Sequence, residues 1–161
     1  MSDGAALSEP FPVQRGVAQG CPLSPLLYAV FIDSVLDHLY STNLPEGDAI
    51  LVGAGTARRR WAGQLYADDL SAGAATARGL QCLIDAVRAH SRCWGWTLTV
   101  PKSHVVVFGG AAARGCGAQF SWGGSPVARR PSERYLGVHL DERGTWELQA
   151  QAAADKGRRA V

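Results

Sequence analysis

Leu65-Tyr66-Ala67-Asp68-Asp69-Leu70 sets two adjacent carboxylates between apolar residues. Taking one carboxylate out of water is costly, and two side by side also repel each other. A cation relieves both penalties. Hard divalent ions accept carboxylate oxygens, keep several waters and commonly sit beside substrate phosphates. Two such ions about 4 Å apart can activate an attacking oxygen and stabilise a leaving one, the chemistry of nucleotide polymerisation. The competing reading is a surface turn that happens to contain Asp-Asp, and so short a motif does not separate the two by itself.

Working outward, residues 61–66 read as a strand and residues 70–73 as its return, with Ala67-Asp68-Asp69 at the tip of a hairpin. Neighbouring side chains on a sharp tip need not alternate between sheet faces, so both acids can serve one site. Ser71-Ala72-Gly73 is small and unbranched, which is poor strand material. Residues 49–52 read as an earlier strand, followed by a turn at Gly53-Ala54-Gly55 that lacks the third glycine of a dinucleotide fingerprint.

Upstream, residues 7–17 read as a short strand and Gly20 as a turn. A helix then starts with Ser24 as its cap and Pro25 at its first position. Leu26, Leu27, Val30, Phe31, Val35 and Leu39 recur at helical spacing and predict a buried face, with Asp33 and Asp37 on a solvated stripe. Downstream, residues 76–94 predict an amphipathic helix that buries Leu80, Leu83, Ile84, Val87 and Trp94 and stops at Gly95. Trp96, Leu98 and Val100 alternate as a strand ended by Pro101, and residues 105–108 form the next. Residues 120–127 read as a hairpin around Gly123-Gly124. A second hairpin joins residues 135–140 to Thr145-Trp146 through Asp141-Glu142-Arg143-Gly144, and a basic, Ala-rich tail begins a helix near Gln149.

Four blocks in this order carry a resemblance: Gln19-Gly20-Cys21-Pro22-Leu23-Ser24-Pro25, Tyr66-Ala67-Asp68-Asp69, the segment Thr99-Val100-Pro101-Lys102, and Tyr135-Leu136-Gly137. Together, over about residues 7 to 147, they resemble the reverse transcriptases of non-LTR retrotransposons and their group II intron relatives. The resemblance implies an α+β fold: an incomplete polymerase palm, an antiparallel sheet with two helices packed on one face. Residues 1–110 would form the partial palm, 111–147 primer-grip-like hairpins, and 148–161 a tail or the start of a thumb helix. It also implies roles. Asp68 and Asp69 would be catalytic ligands of Mg²⁺, with Mn²⁺ as an alternative. Gln19, Gly20, Tyr66 and Lys102 would lie along nucleotide and template, and Tyr135, Leu136 and Gly137 would grip the primer. The partners implied are an RNA template, a DNA primer and deoxynucleoside triphosphates. Thr99 stands where the family commonly has Asn, and small residues follow Asp69 where it commonly has bulky aliphatics.

The family also supplies a third aspartate, from a strand upstream of the Gln-Gly block. Here only Asp3 and Glu9 are acidic before Gln19, and neither lies in an apolar strand pattern. The expectation is therefore a fragment, inactive alone, that lacks an N-terminal palm and fingers segment and binds metal weakly. Three alternatives stand beside it: a non-catalytic remnant that binds nucleic acid or a partner, a palm-type nucleotide cyclase, and a longer enzyme of which Met1 is an internal start.

Composition bounds these readings. The chain has 161 residues, 47% hydrophobic and 19% charged, which is the balance of a globular domain with one core. Net charge is only +2, so bulk charge does not announce nucleic-acid binding. Arg58-Arg59-Arg60, Arg129-Arg130, Arg134 and Lys156 with Arg158-Arg159 are local clusters suited to phosphates or simply to solvent. Cys21, Cys82, Cys93 and Cys116 form no zinc-ligand spacing, even with His90 three residues before Cys93. Nothing resembles a secretory signal or a membrane span, so reduced thiols in an intracellular protein are expected.

Overall fold

The structure, a computed structural model, describes residues 16–18, 20–110, 113 and 116–159. The expected strand over residues 7–17 lies almost wholly outside the described residues, as does Gln19.

Helix α1 (Ser24–Ser41) and helix α2 (Ala77–Trp94) form the framework. They run antiparallel, since Ser34 of α1 bonds His90 of α2 while Phe31 meets Trp94. Thr76, expected inside the helix, instead caps α2: its hydroxyl accepts from the Gly79 amide at 3.0 Å. The same hydroxyl donates to the Asp48 carboxylate at 2.6 Å, and Arg78 pairs with that carboxylate at 2.7 Å. Asp48, only 4% exposed, is thus a satisfied buried charge that fixes the start of α2. Gly95 takes the left-handed conformation (φ 72°) that ends the helix.

Ser24 does not cap α1. Leu23 occupies that position, and the Ser24 hydroxyl turns back to donate to the Ala18 carbonyl at 2.6 Å. The predicted buried face of α1 is only half right. Val35 and Leu39 are fully buried, but Leu26, Leu27 and Val30 are exposed, because α2 ends opposite Phe31 and covers nothing beyond it. Trp94 is likewise 53% exposed, packed edge-on against Phe31.

Strands β1 (Ile50–Val52) and β2 (Arg59–Trp61) form one antiparallel pair, β3 (Gly63–Tyr66) and β4 (Asp69–Ala72) another. The single strand expected over residues 61–66 is therefore broken. The chain changes partner at buried Ala62, whose carbonyl accepts from Gly73 at 3.1 Å. Glycine turns out to be needed at both ends of the hairpin's base, Gly63 and Gly73. A Cβ on Gly73 would lie 2.6 Å from the Trp61 ring, and one on Gly63 only 2.7 Å from the Ser71 carbonyl and 3.2 Å from Leu39. The hairpin forms in full register because these residues let Trp61 and α1 come close.

The predicted strand through Trp96 and Leu98 is absent. Trp96 instead donates its amide to Ser91 at 3.0 Å and its indole N–H to His90 at 3.3 Å, so the end of α2 holds this segment. Val100–Lys102 is a single 3-10 turn started by Pro101. Strand β5 (His104–Val105) is shorter than expected. Strands β6 (Phe120–Trp122) and β7 (Ser125–Arg129) make the predicted hairpin over Gly123-Gly124, and β7 also pairs in parallel with β5.

The last hairpin is not the one expected. Strands β8 (Ser132–Tyr135) and β9 (Val138–Asp141) turn over Leu136 (φ 49°) and Gly137 (φ 85°), the positive pair that a two-residue loop favours. Asp141 then closes a turn into helix α3 (Glu147–Arg159), accepting from the Arg143 amide at 2.8 Å and the Thr145 hydroxyl at 2.9 Å. Burial raises the pKa of this carboxyl, but the bonds from Thr145, Arg143 and Gly144 together outweigh it and hold it below 3.8.

The fold is thus α+β, with three long helices among the described residues and small sheets in place of the single expected sheet, one of them mixed. The core joins Val35 and Leu39 of α1, Leu83 and Val87 of α2, Ala62, Val105, Phe120, Trp122 and Val127.

Candidate functional site

The β3–β4 hairpin presents the two acids. Its rungs are Gly63–Ala72, Gln64–Ser71, Leu65–Leu70 and Tyr66–Asp69. Leu65 and Leu70 face the core, so alternation sends Tyr66 and Asp69 to the other face. Asp69 therefore belongs to the last rung, and the tip proper is Ala67-Asp68. Ala67 bends it with a positive φ of 52°, a conformation uncommon for a residue with a Cβ. Both carboxylates are exposed, and among the described residues neither forms a hydrogen bond or an ion pair. Tyr66 is 65% exposed, so its ring is not part of the core.

The Gly20 block precedes α1, whose Tyr28 is within electrostatic reach of Asp68 at this tip. Gly20 takes φ 88°, and the Cys21 amide donates to Ala18 at 3.3 Å. Val17, Ala18, Gly20, Cys21, Ser24, Pro25 and Tyr28 line a shallow depression at the start of α1. Tyr28 joins the two motifs: burial raises its phenol pKa above 10.0, and the nearby Asp68 carboxylate raises it further. Sequence reasoning missed Tyr28. Its signal was the spacing of four from Ser24, which puts both on one side of α1. The Cys21 thiol is held below its usual 9.0 by the Leu23 backbone and the Ser24 hydroxyl.

The other candidate residues stand elsewhere. Lys102 is exposed at the end of its 3-10 turn, which packs on β7. Tyr135, Leu136 and Gly137 sit at the tip of β8–β9, a hairpin whose β9 packs on α3. The Tyr135 hydroxyl is buried with no partner among the described residues, while Leu136 is 45% exposed. Arg60 leaves the basic cluster assigned to it: its guanidinium donates to the Thr42 carbonyl at 2.6 Å, to Leu39 at 2.9 Å and to Tyr40, closing the C-terminal end of α1. Arg158 pairs with Asp155 and Arg130 with Glu133.

Two free carboxylates beside a depression suit one hydrated Mg²⁺ ion completed by phosphate oxygens. A second ion needs another ligand group, and no cluster of three His, Cys, Asp or Glu occurs among the described residues. No helix among them is long and apolar enough to cross a membrane.

The acid-tipped hairpin and the glycine turn before a helix are two of the four blocks that carry the resemblance. Residues 2–140 match the model of the reverse transcriptase (RNA-dependent DNA polymerase) family, and the chain belongs to that family. It is similar to the Pol polyprotein of the type-2 retrotransposable element R2DM of Drosophila melanogaster, with 33% identity over 93% of this chain. It is also similar to the RNA-directed DNA polymerase of the mobile element jockey of the same fly, with 30% identity over 84% of this chain. A third relative, the Pol polyprotein of a type-1 R2 element of Nasonia vitripennis, is 36% identical over 57%. The resemblance to enzymes of non-LTR retrotransposons therefore stands. The chain spans 14% of the length of each fly relative and 8% of the third.

Proposed function

We propose that this chain is part of the palm of a reverse transcriptase and serves RNA-directed DNA polymerisation by two-metal-ion nucleotidyl transfer. The observation that carries the reading is the exposed Asp68-Asp69 pair at the β3–β4 tip, which has no hydrogen-bond or ion-pair partner among the described residues. Asp68 and Asp69 would hold Mg²⁺ or Mn²⁺, which when bound neutralises developing charge on the transferred phosphate. Gly20, without a Cβ, admits a nucleotide close to the backbone, with Gln19 beside it along the template. Tyr66, exposed on the rung of Asp69, offers a ring to the nucleotide. Lys102 would neutralise departing pyrophosphate, and Tyr135, Leu136 and Gly137 would hold the primer end.

These 161 residues alone should bind metal weakly and not polymerise, since the second ion requires a further carboxylate and the acids before Gln19, Asp3 and Glu9, lie in no apolar strand pattern. Purified chain incubated with primer, RNA template, deoxynucleotides and Mg²⁺ is expected to give no extension. Extension abolished by Asp68→Ala would overturn the inactivity and keep the assignment. Mn²⁺ binding followed by electron paramagnetic resonance tests the assignment itself. It should be weakened at least tenfold by Asp68→Ala with Asp69→Ala, and equal binding by both proteins would sink the metal-site reading.

The lack of a three-ligand cluster among the described residues favours a second reading, a non-catalytic module that binds nucleic acid or a partner. Salt-dependent RNA binding without turnover, even with the missing segment added in trans, would select it.

A further inference from the structure

The first half of α1 is apolar on every side: no charged residue occurs from Val17 to Ile32. On its inner side Ser24 is buried and Tyr28, Phe31 and Ile32 are half-buried, whereas Leu23, Leu26, Leu27 and Val30 are 61, 62, 55 and 69% exposed on its outer side. Exposed leucines are common singly, but four on one helix face form a patch, and a helix apolar all round belongs between two layers. The patch has polar ends of opposite character. Asp33 and Asp37, both exposed, continue the same face one and two turns on. At the other end, α1 begins with no side-chain cap and no acidic residue in its first turn. The positive dipole end of α1 thus meets no acidic side chain of its own on this outer face.

We infer that this outer face of α1 docks against the same face of a second copy of the chain. Antiparallel packing about a two-fold axis between Leu26 and Leu27 sets the four apolar side chains against their equivalents. It also lays Asp33 of each copy within about one turn of the start of the partner's α1, where the helix dipole favours a carboxylate. A parallel arrangement would bring the acids face to face, so the charges choose the antiparallel one. Ser24 and Tyr28 lie on the other side of α1, so the depression and the Asp68 tip stay open in the pair. The patch is a single helix face, at the small end of stable interfaces, and the expected dissociation constant is on the order of 10–100 μM.

Sedimentation equilibrium of the full chain, kept reduced because all four cysteines are exposed, tests this over about 1 to 500 μM. Dimers are expected at the upper concentrations. Leu26→Lys with Val30→Lys should abolish them with the far-ultraviolet circular dichroism unchanged, since both side chains are already exposed. Asp33→Lys with Asp37→Lys should weaken dimerisation about tenfold by removing the attraction to the partner's helix ends. A monomer at every concentration overturns the inference. So does a dimer that survives the lysines at 26 and 30, or one indifferent to charge reversal at 33 and 37, which would mark the face as merely adhesive.

Discussion

His90 shows how much a single side chain can govern. It is 5% exposed, and the indole of Trp96 can only donate, so Nδ1 accepts and the proton resides on Nε2. Nε2 then donates to the Ser34 hydroxyl at 2.9 Å, which passes its own proton to the Phe31 carbonyl at 3.2 Å. A second proton on His90 would break the Trp96 bond. Burial, and then the neighbouring His38, accordingly hold its pKa below 6.5. The unfolded chain therefore binds more protons than the folded one in this range. Stability from the neutral imidazole is complete above 6.5 and is lost as pH falls from there through the lowered folded value. Urea midpoints should be flat from about pH 7 to 8 and decline below about 6.5. The decline should be shallower in His90→Leu, and identical slopes would refute it. The sequence did not reveal this role, because His90 and Ser34 lie 56 positions apart and only the helix pairing joins them. The two acids, by contrast, were legible, since adjacent charges between leucines need no tertiary information to attract notice.

Among the elements, the β3–β4 hairpin was readable and its stability was not. Strand propensity spoke against Ser71-Ala72-Gly73, whereas close packing requires just such residues. Gly63→Ala should cost about 1–3 kcal/mol, because the obstructing Ser71 carbonyl is backbone and cannot swing aside. In a chain of this size thermal denaturation should register a drop of several degrees. A midpoint equal to that of the native protein would mean the strands move apart without penalty. Thr76→Ala, which leaves the Gly79 amide and part of Asp48 without a partner, should cost about 1–2 kcal/mol, measurable by urea unfolding. The start of α2 could be read because its cap is local. The boundaries of β5, β8 and β9 could not, because a parallel partner from β7 and the Asp141 turn set them.

Across the whole molecule, the helices connect the sheets. Gln81 on α2 reaches Ser121 on β6 with both ends of its amide, donating to the carbonyl at 2.9 Å and accepting from the N–H at 3.0 Å. It fills the place of a neighbouring strand on the open side of β6. Gln149 on α3 does the same for the His139 amide at 2.9 Å. Replacing Gln81 by Ala should leave the β6 edge bare and increase aggregation, read by light scattering on incubation at 37 °C, about physiological temperature. Unchanged scattering would show that the edge was already protected. No composition or periodicity announced these glutamines, since each looks like an ordinary polar residue on a helix. The bond from Ser121 also makes its amide a natural stopwatch. An amide tied to a strand exchanges with deuterated water when the sheet opens, but this one is tied to a helix side chain. Its exchange rate would time the undocking of α2 while the β6–β7 ladder stays shut.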